Sequence, residues 1–190
     1  MRAGARRHGP AIAAALSLAA AGCAAEPSQQ PTVRTDKGSS QCTGPRAAES
    51  KDAEEAAEIA VAHVDTVAKQ RFAHVYTGLR VDRGTLALDL YRIPDAAFDR
   101  SACRGIPSNM TVRLHDTTTS RTELDALVAR ISDDIPRWKG EFDLRTIAAA
   151  EEGHVEVGVD EPKVAEPLLR KAYGDLVKAT YEEQAQLKRS

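Results

Sequence analysis

Residues 75–90, Val75-Tyr76-Thr77-Gly78-Leu79-Arg80-Val81-Asp82-Arg83-Gly84-Thr85-Leu86-Ala87-Leu88-Asp89-Leu90, decide the fold. Thr77, Leu79 and Val81 share one face of a strand. Asp82-Arg83-Gly84 is a turn signal, and Leu86, Leu88 and Leu90 then alternate as a second strand. Two period-two runs around such a turn predict a β-hairpin. Upstream, Ala53, Ala57, Ala60, Val61, Val64, Val67 and Ala68 form one apolar stripe. That predicts a helix from an N-cap at Ser50 to Gln70, with Asp52, Glu54 and Glu55 in its first turn, where acids suit the helix dipole. Downstream, Pro94 opens a short helix over 96–103, and Met110, Val112 and Leu114 form a third strand.

The pattern then starts again. Ser120-Arg121-Thr122-Glu123 is a capping box. Leu124, Leu127, Val128, Ile131, Ile135 and Trp138 give the helix its apolar face, and Pro136 kinks it or ends it early. A strand over 142–148, the turn Glu151-Glu152-Gly153 and alternating Val155, Val157 and Val159 follow. Pro162 opens a helix that Gly174 closes, and 176–181 is the last strand. The sequence therefore predicts an α+β fold of two αββαβ units, 51–119 and 120–182, with antiparallel sheet covered on one face by helices. Tandem units and one shared six-stranded sheet are both compatible with it. Residues 183–190 read as a tail.

The N-terminal region assigns a compartment. Arg2, Arg6 and Arg7 precede an apolar run from Ala11 to Ala21, which is too short to span a bilayer. Ala20-Ala21-Gly22-Cys23 then resembles a lipobox, in which cleavage leaves Cys23 carrying a diacylglycerol; Ala20 stands where that motif usually has Leu. Residues 1–22 are thus expected to be a lipoprotein signal, with the membrane bound through lipid on Cys23. Ordinary secretion with cleavage near Ala25 is the alternative. Residues 23–50, rich in Pro, Ser, Gln and Gly, read as a disordered tether. With Cys23 lipidated, Cys42 and Cys103 can pair only with each other. A structural disulfide is expected, since no Cys-x-x-Cys spacing supports a redox pair.

The chain has 26 basic and 28 acidic residues. Loss of the three signal arginines leaves 23 against 28, a net charge of −5. That gives no electrostatic footprint for nucleic acid. No cofactor motif or metal-ligand spacing is present.

Leu90-Tyr91-Arg92-Ile93-Pro94, Ser120 to Leu124, Val155-Glu156-Val157-Gly158-Val159 and Tyr173-Gly174 resemble a family of small exported actinobacterial proteins. The resemblance covers residues 72 to 181 and implies no activity, because that family has no assigned function. The αββαβ order is similar to the BON domain of envelope proteins, which implies binding to membranes or partners. A helix-covered antiparallel sheet is also similar to secreted-protease pro-domains, which implies an inhibitor or folding helper.

His115-Asp116 is the nearest approach to a catalytic pair, and His154 is a second candidate beside acids. The plain reading of His115 is a strand end entering the loop Thr117-Thr118-Thr119. Asp133-Asp134, Glu151-Glu152 and Glu182-Glu183 read as solvated charges, and Trp138 as core. Tyr76 and Tyr91 are expected on the outer face of the sheet, where an envelope or secreted protein could dock. The sequence thus points to a non-catalytic, extracytoplasmic binding module.

Overall fold

The computed structural model describes residues 33–36, 39–43 and 52–184; the signal segment and Cys23 lie outside the described residues. Val33–Asp36 (β1) and Ser39–Thr43 (β2) pair antiparallel inside the run expected to be disordered. That expectation is corrected for these two strands. Their composition supplies no core of its own, but β2 borrows one. Its backbone pairs with a later strand, and Cys42, 2% exposed, is disulfide-bonded to fully buried Cys103 across 61 residues of chain.

Ala53–Val67 (α1) is capped by Asp52, whose carboxylate accepts the Glu55 N–H, two residues later than the expected cap at Ser50. A π-helical turn, Ala68–Phe72, continues it. Ala60, Val64, Ala68 and Phe72 recur every four residues and are all buried. Four residues overshoot an α-turn and undershoot a π-turn, so the change of pitch brings Phe72 back to the core. Tyr76–Asp82 (β3) and Ala87–Arg92 (β4) form the expected hairpin, with Leu79 opposite Leu90 and Val81 opposite Leu88. Asp82 closes its turn by accepting from the Gly84 and Thr85 N–H groups and the Thr85 hydroxyl. Ala96–Arg104 (α2), capped by Asp95, crosses over to Thr111–Asp116 (β5). β5 runs parallel to β4, not antiparallel, because a helical crossover returns the chain in the same direction.

The same order of elements runs through the second half. Arg121–Asp133 (α3) starts at the capping box, in which Ser120 and Glu123 bond each other's backbone. α3 ends before Pro136, which sits in the single turn Ile135–Trp138 (α4). Leu144–Ala149 (β6) pairs antiparallel with Val155–Val159 (β7), Pro162–Tyr173 (α5) follows, and Val177–Tyr181 (β8) lies parallel to β7. Gly174 closes α5, as expected, at φ +91° and ψ −175°, a positive-φ backbone that favours glycine.

The two halves do not share a sheet. Strands run β1-β2-β5-β4-β3 in one mixed sheet and β6-β7-β8 in another. Leu88, Leu90, Val112 and Leu114 pack under α1 and α2 with Phe98 and the disulfide. Val155, Val157, Val159 and Val177 pack with Leu124, Ile131 and Leu169 of α3 and α5. Trp138 is in this second core, as expected, and its indole N–H donates to Tyr173 Oη at 3.1 Å.

The seam between the halves is made by the β6–β7 turn leaning on β3. A Cβ on Gly78 would lie 2.6 Å from Glu151 Cα, so only glycine permits this approach. Gly153, at φ +92°, packs on Thr117. The buried Thr77 hydroxyl lies 2.6 Å from that of Thr117 and donates to the Thr119 carbonyl at 2.7 Å.

Candidate functional site

Pairing puts one residue each of β3, β4, β5 and β2 in a cross-strand row on the face away from α1 and α2. Arg80 is opposite Asp89, Asp89 is opposite Arg113, and Arg113 is opposite Gln41. In the next row Gly78 is opposite Tyr91 and Tyr91 opposite His115. Cross-strand neighbours on one face lie close enough for their side chains to meet. Here they do, around an open hollow of about 520 Å³ lined by Arg80, Val81, Asp82, Asp89, Arg113 and His115.

Asp89 is the hub. Its carboxylate is 6% exposed and accepts from Arg113 Nε and Nη2 at 2.8 and 3.0 Å, and it meets His115 Nε2 at 2.7 Å. Burial pushes this carboxyl up, but the His115 and Arg113 bonds outweigh it and hold it below the ordinary carboxylate range. Asp82 is pulled down to about 2 by the Thr85 hydroxyl and then by Arg113, which donates to it at 3.0 Å. The His115 ring stacks on Tyr91 with centroids 4.7 Å apart. Burial raises the Tyr91 phenol above its ordinary value, so its hydroxyl keeps its proton at neutral pH. Arg80 donates to Tyr91 Oη at 2.8 Å and to Glu152 Oε1 at 2.7 Å. Glu152 comes from the β6–β7 turn, so the second half touches the rim of the hollow through Arg80.

The histidine expected beside Asp116 is therefore oriented by Asp89. Asp116 turns instead to Arg92, whose side chain is 4% exposed and which also donates to Asp99 at 2.7 and 3.1 Å. Burial works against the Arg92 charge, but the two carboxylates outweigh it and raise its pKa. His154 lies apart from the hollow, 3.3 Å from Glu156.

Tyr91 stands on the outer face, as expected. Tyr76 does not: it packs on the helical core, edge-on to Phe98. The β-bulge between Tyr76 and Gly78 reverses the alternation there, and Thr77 turns to the seam. The carboxylates expected to be solvated are partly engaged. Glu152 holds Arg80, Asp134 accepts from the Tyr173 hydroxyl at 2.8 Å, and Glu182 reaches the Thr146 hydroxyl over Gly158.

Among the described residues, no three His, Cys, Asp or Glu side chains converge as a metal site. Among the same residues, no helix is long and apolar enough to cross a membrane. The buried disulfide is the chemistry of an oxidising compartment. Fold and site together define a disulfide-bonded α+β domain with a charged hollow on one sheet face. No family model, curated protein or solved structure matches the chain.

Proposed function

We propose that this protein is an extracytoplasmic binding module, held to the cell membrane by lipid on Cys23, that does no catalysis. Its ligand carries an anionic group and docks on the outer face of the larger sheet. The observation that carries this reading is the convergence of Arg80, Arg113 and His115 on one open hollow, opposite a face filled by helices. An open hollow of about 520 Å³ is of ligand size. Intact-mass measurement of the membrane-extracted protein under non-reducing conditions tests the anchor. A diacylated Cys23 and a mass two hydrogens lighter than the dithiol form are expected; an unmodified chain starting near Glu26 would make the protein simply secreted.

A specific observation favours a second reading. His115 and Asp89 have the geometry of an oriented base, with Arg113 fixing the acid. Among the described residues that line the hollow there is no serine, threonine or cysteine, and the His115 base would act on water. That reading requires turnover that disappears in His115→Ala while ligand binding persists. The binding-module reading expects the ligand to be recovered unchanged.

A further inference from the structure

We propose that Arg80, on the rim of the hollow, is a carboxylate-binding group, and that the protein's own Glu152 now holds its place as an internal stand-in. The inference rests on the outer face being the docking surface and goes on to name the ligand's chemistry. Three features of Arg80 carry it. First, its guanidinium is placed but not committed. The side chain is 54% exposed, its Nε is 4.0 Å from Asp89 Oδ2, and among the described residues the acid it bonds closely is Glu152. Arg113, by contrast, is bound to both Asp89 and Asp82 and has little left to offer.

Second, Glu152 is replaceable. Its side chain is 40% exposed at the tip of a turn. The turn itself is located by Glu151 against Gly78 and by Gly153 against Thr117, so the Glu152 side chain can leave without the turn moving. An exposed ion pair of this kind is weak, because water and salt screen it. A ligand carboxylate that takes both nitrogens of the fork gains more, because bidentate arginine pairs are the strong ones.

Third, a second donor stands beside the first. Tyr91 Oη accepts from Arg80 Nη2, which leaves the phenol hydrogen of Tyr91 to donate. Among the described residues it has no acceptor. Arg80 and the largely buried Tyr91 thus place two donors side by side, and the oxygens of Asp89 behind them are taken up by Arg113 and His115. A carboxylate fits this pair; a cation does not.

The test is nuclear magnetic resonance titration of the full mature chain with glutarate, and with its neutral diamide as control. A short peptide with a free C-terminal carboxylate, and the same peptide amidated, distinguish a polymer end from a small free acid as the source. Saturable shifts of the Arg80 Nε–H and of the Tyr91 and His115 rings are expected with the charged probes alone. Glu152→Gln should tighten binding about two- to fivefold, the equivalent of losing one exposed competing ion pair. Arg80→Gln should weaken it about tenfold or more, and Tyr91→Phe should weaken it less than that. Arg80 and Glu152 are surface groups, so both variants should fold. Charged probes that bind no better than neutral ones, or equal affinity in wild type and Glu152→Gln, would overturn the carboxylate assignment. If the neutral probes shift these same residues, the docking face survives and only its proposed chemistry falls. Shifts confined to other surfaces would overturn both.

Discussion

At the scale of single residues, Asp89 explains most of the outer face. Its carboxylate holds two cations and is itself almost buried. Asp89→Asn should leave Arg113 and His115 with one acceptor oxygen in place of two and turn a donor NH2 towards them, at a cost of about 1–3 kcal/mol in urea unfolding. An unchanged unfolding midpoint would show that the network is ornamental. Titration adds a second residue-scale prediction. Burial, reinforced by the charge of Asp65, raises Tyr76 from 10.0 to about 12. A raised phenol favours the folded state while it stays neutral. That stability is therefore complete below pH 10 and is lost as pH climbs towards 12. At the acid end the sign reverses: the contribution of Asp82, lowered to about 2, is present above pH 3.8 and lost as pH falls towards 2. Phenolate absorbance followed alongside unfolding should lose its latest step in Tyr76→Phe. A Tyr76 step near 10 would contradict the burial of that ring. The hub was missed in the sequence for a simple reason. Single charges at Arg80, Asp89 and Arg113 look like ordinary solvent-facing strand positions. Their complementary signs were the available signal, but only the strand register brings them side by side.

At the scale of elements, the hairpin of 76–92, the capping box at Ser120, the break at Pro136 and the helix after Pro162 could all be read from local chemistry. Local chemistry could not give the bulge at Thr77, because a bulge is a fact of pairing between two strands. It moved Tyr76 to the other face. Nor could it give β1 and β2, whose stability is borrowed from β5 and from Cys103. This borrowing is testable. Replacing both Cys42 and Cys103 by Ala removes a link across 61 residues of chain. The expected loss is about 2–4 kcal/mol, close to the chain-entropy value for a loop of that size. Hydrogen exchange should rise first at 39–43, ahead of the rest of the sheet. Protection there that matches β4 and β5 in the double variant would show that strand pairing alone holds the hairpin.

At the scale of the whole molecule, two cores meet along a seam where Glu151 lies on Gly78 and Gly153 packs on Thr117. The repeated order of elements was legible from its two periodicities. The separation into two sheets was not, since the same strands could equally have formed one. The seam also reaches the outer face of the larger sheet, because the second half places Glu152 against Arg80. The central claim is that the lipid-anchored protein binds its ligand on the outer face beside Arg80. The most direct measurement is photocrosslinking in the living cell from a reactive residue at Gln41, opposite Arg113 in the strand ladder. A matched probe at exposed Lys178, on β8 of the smaller sheet, serves as control. An adduct from position 41 that disappears in Arg80→Gln, with none from position 178, is the predicted result. Equal adducts from both positions, or an adduct at 41 indifferent to Arg80, would contradict the account.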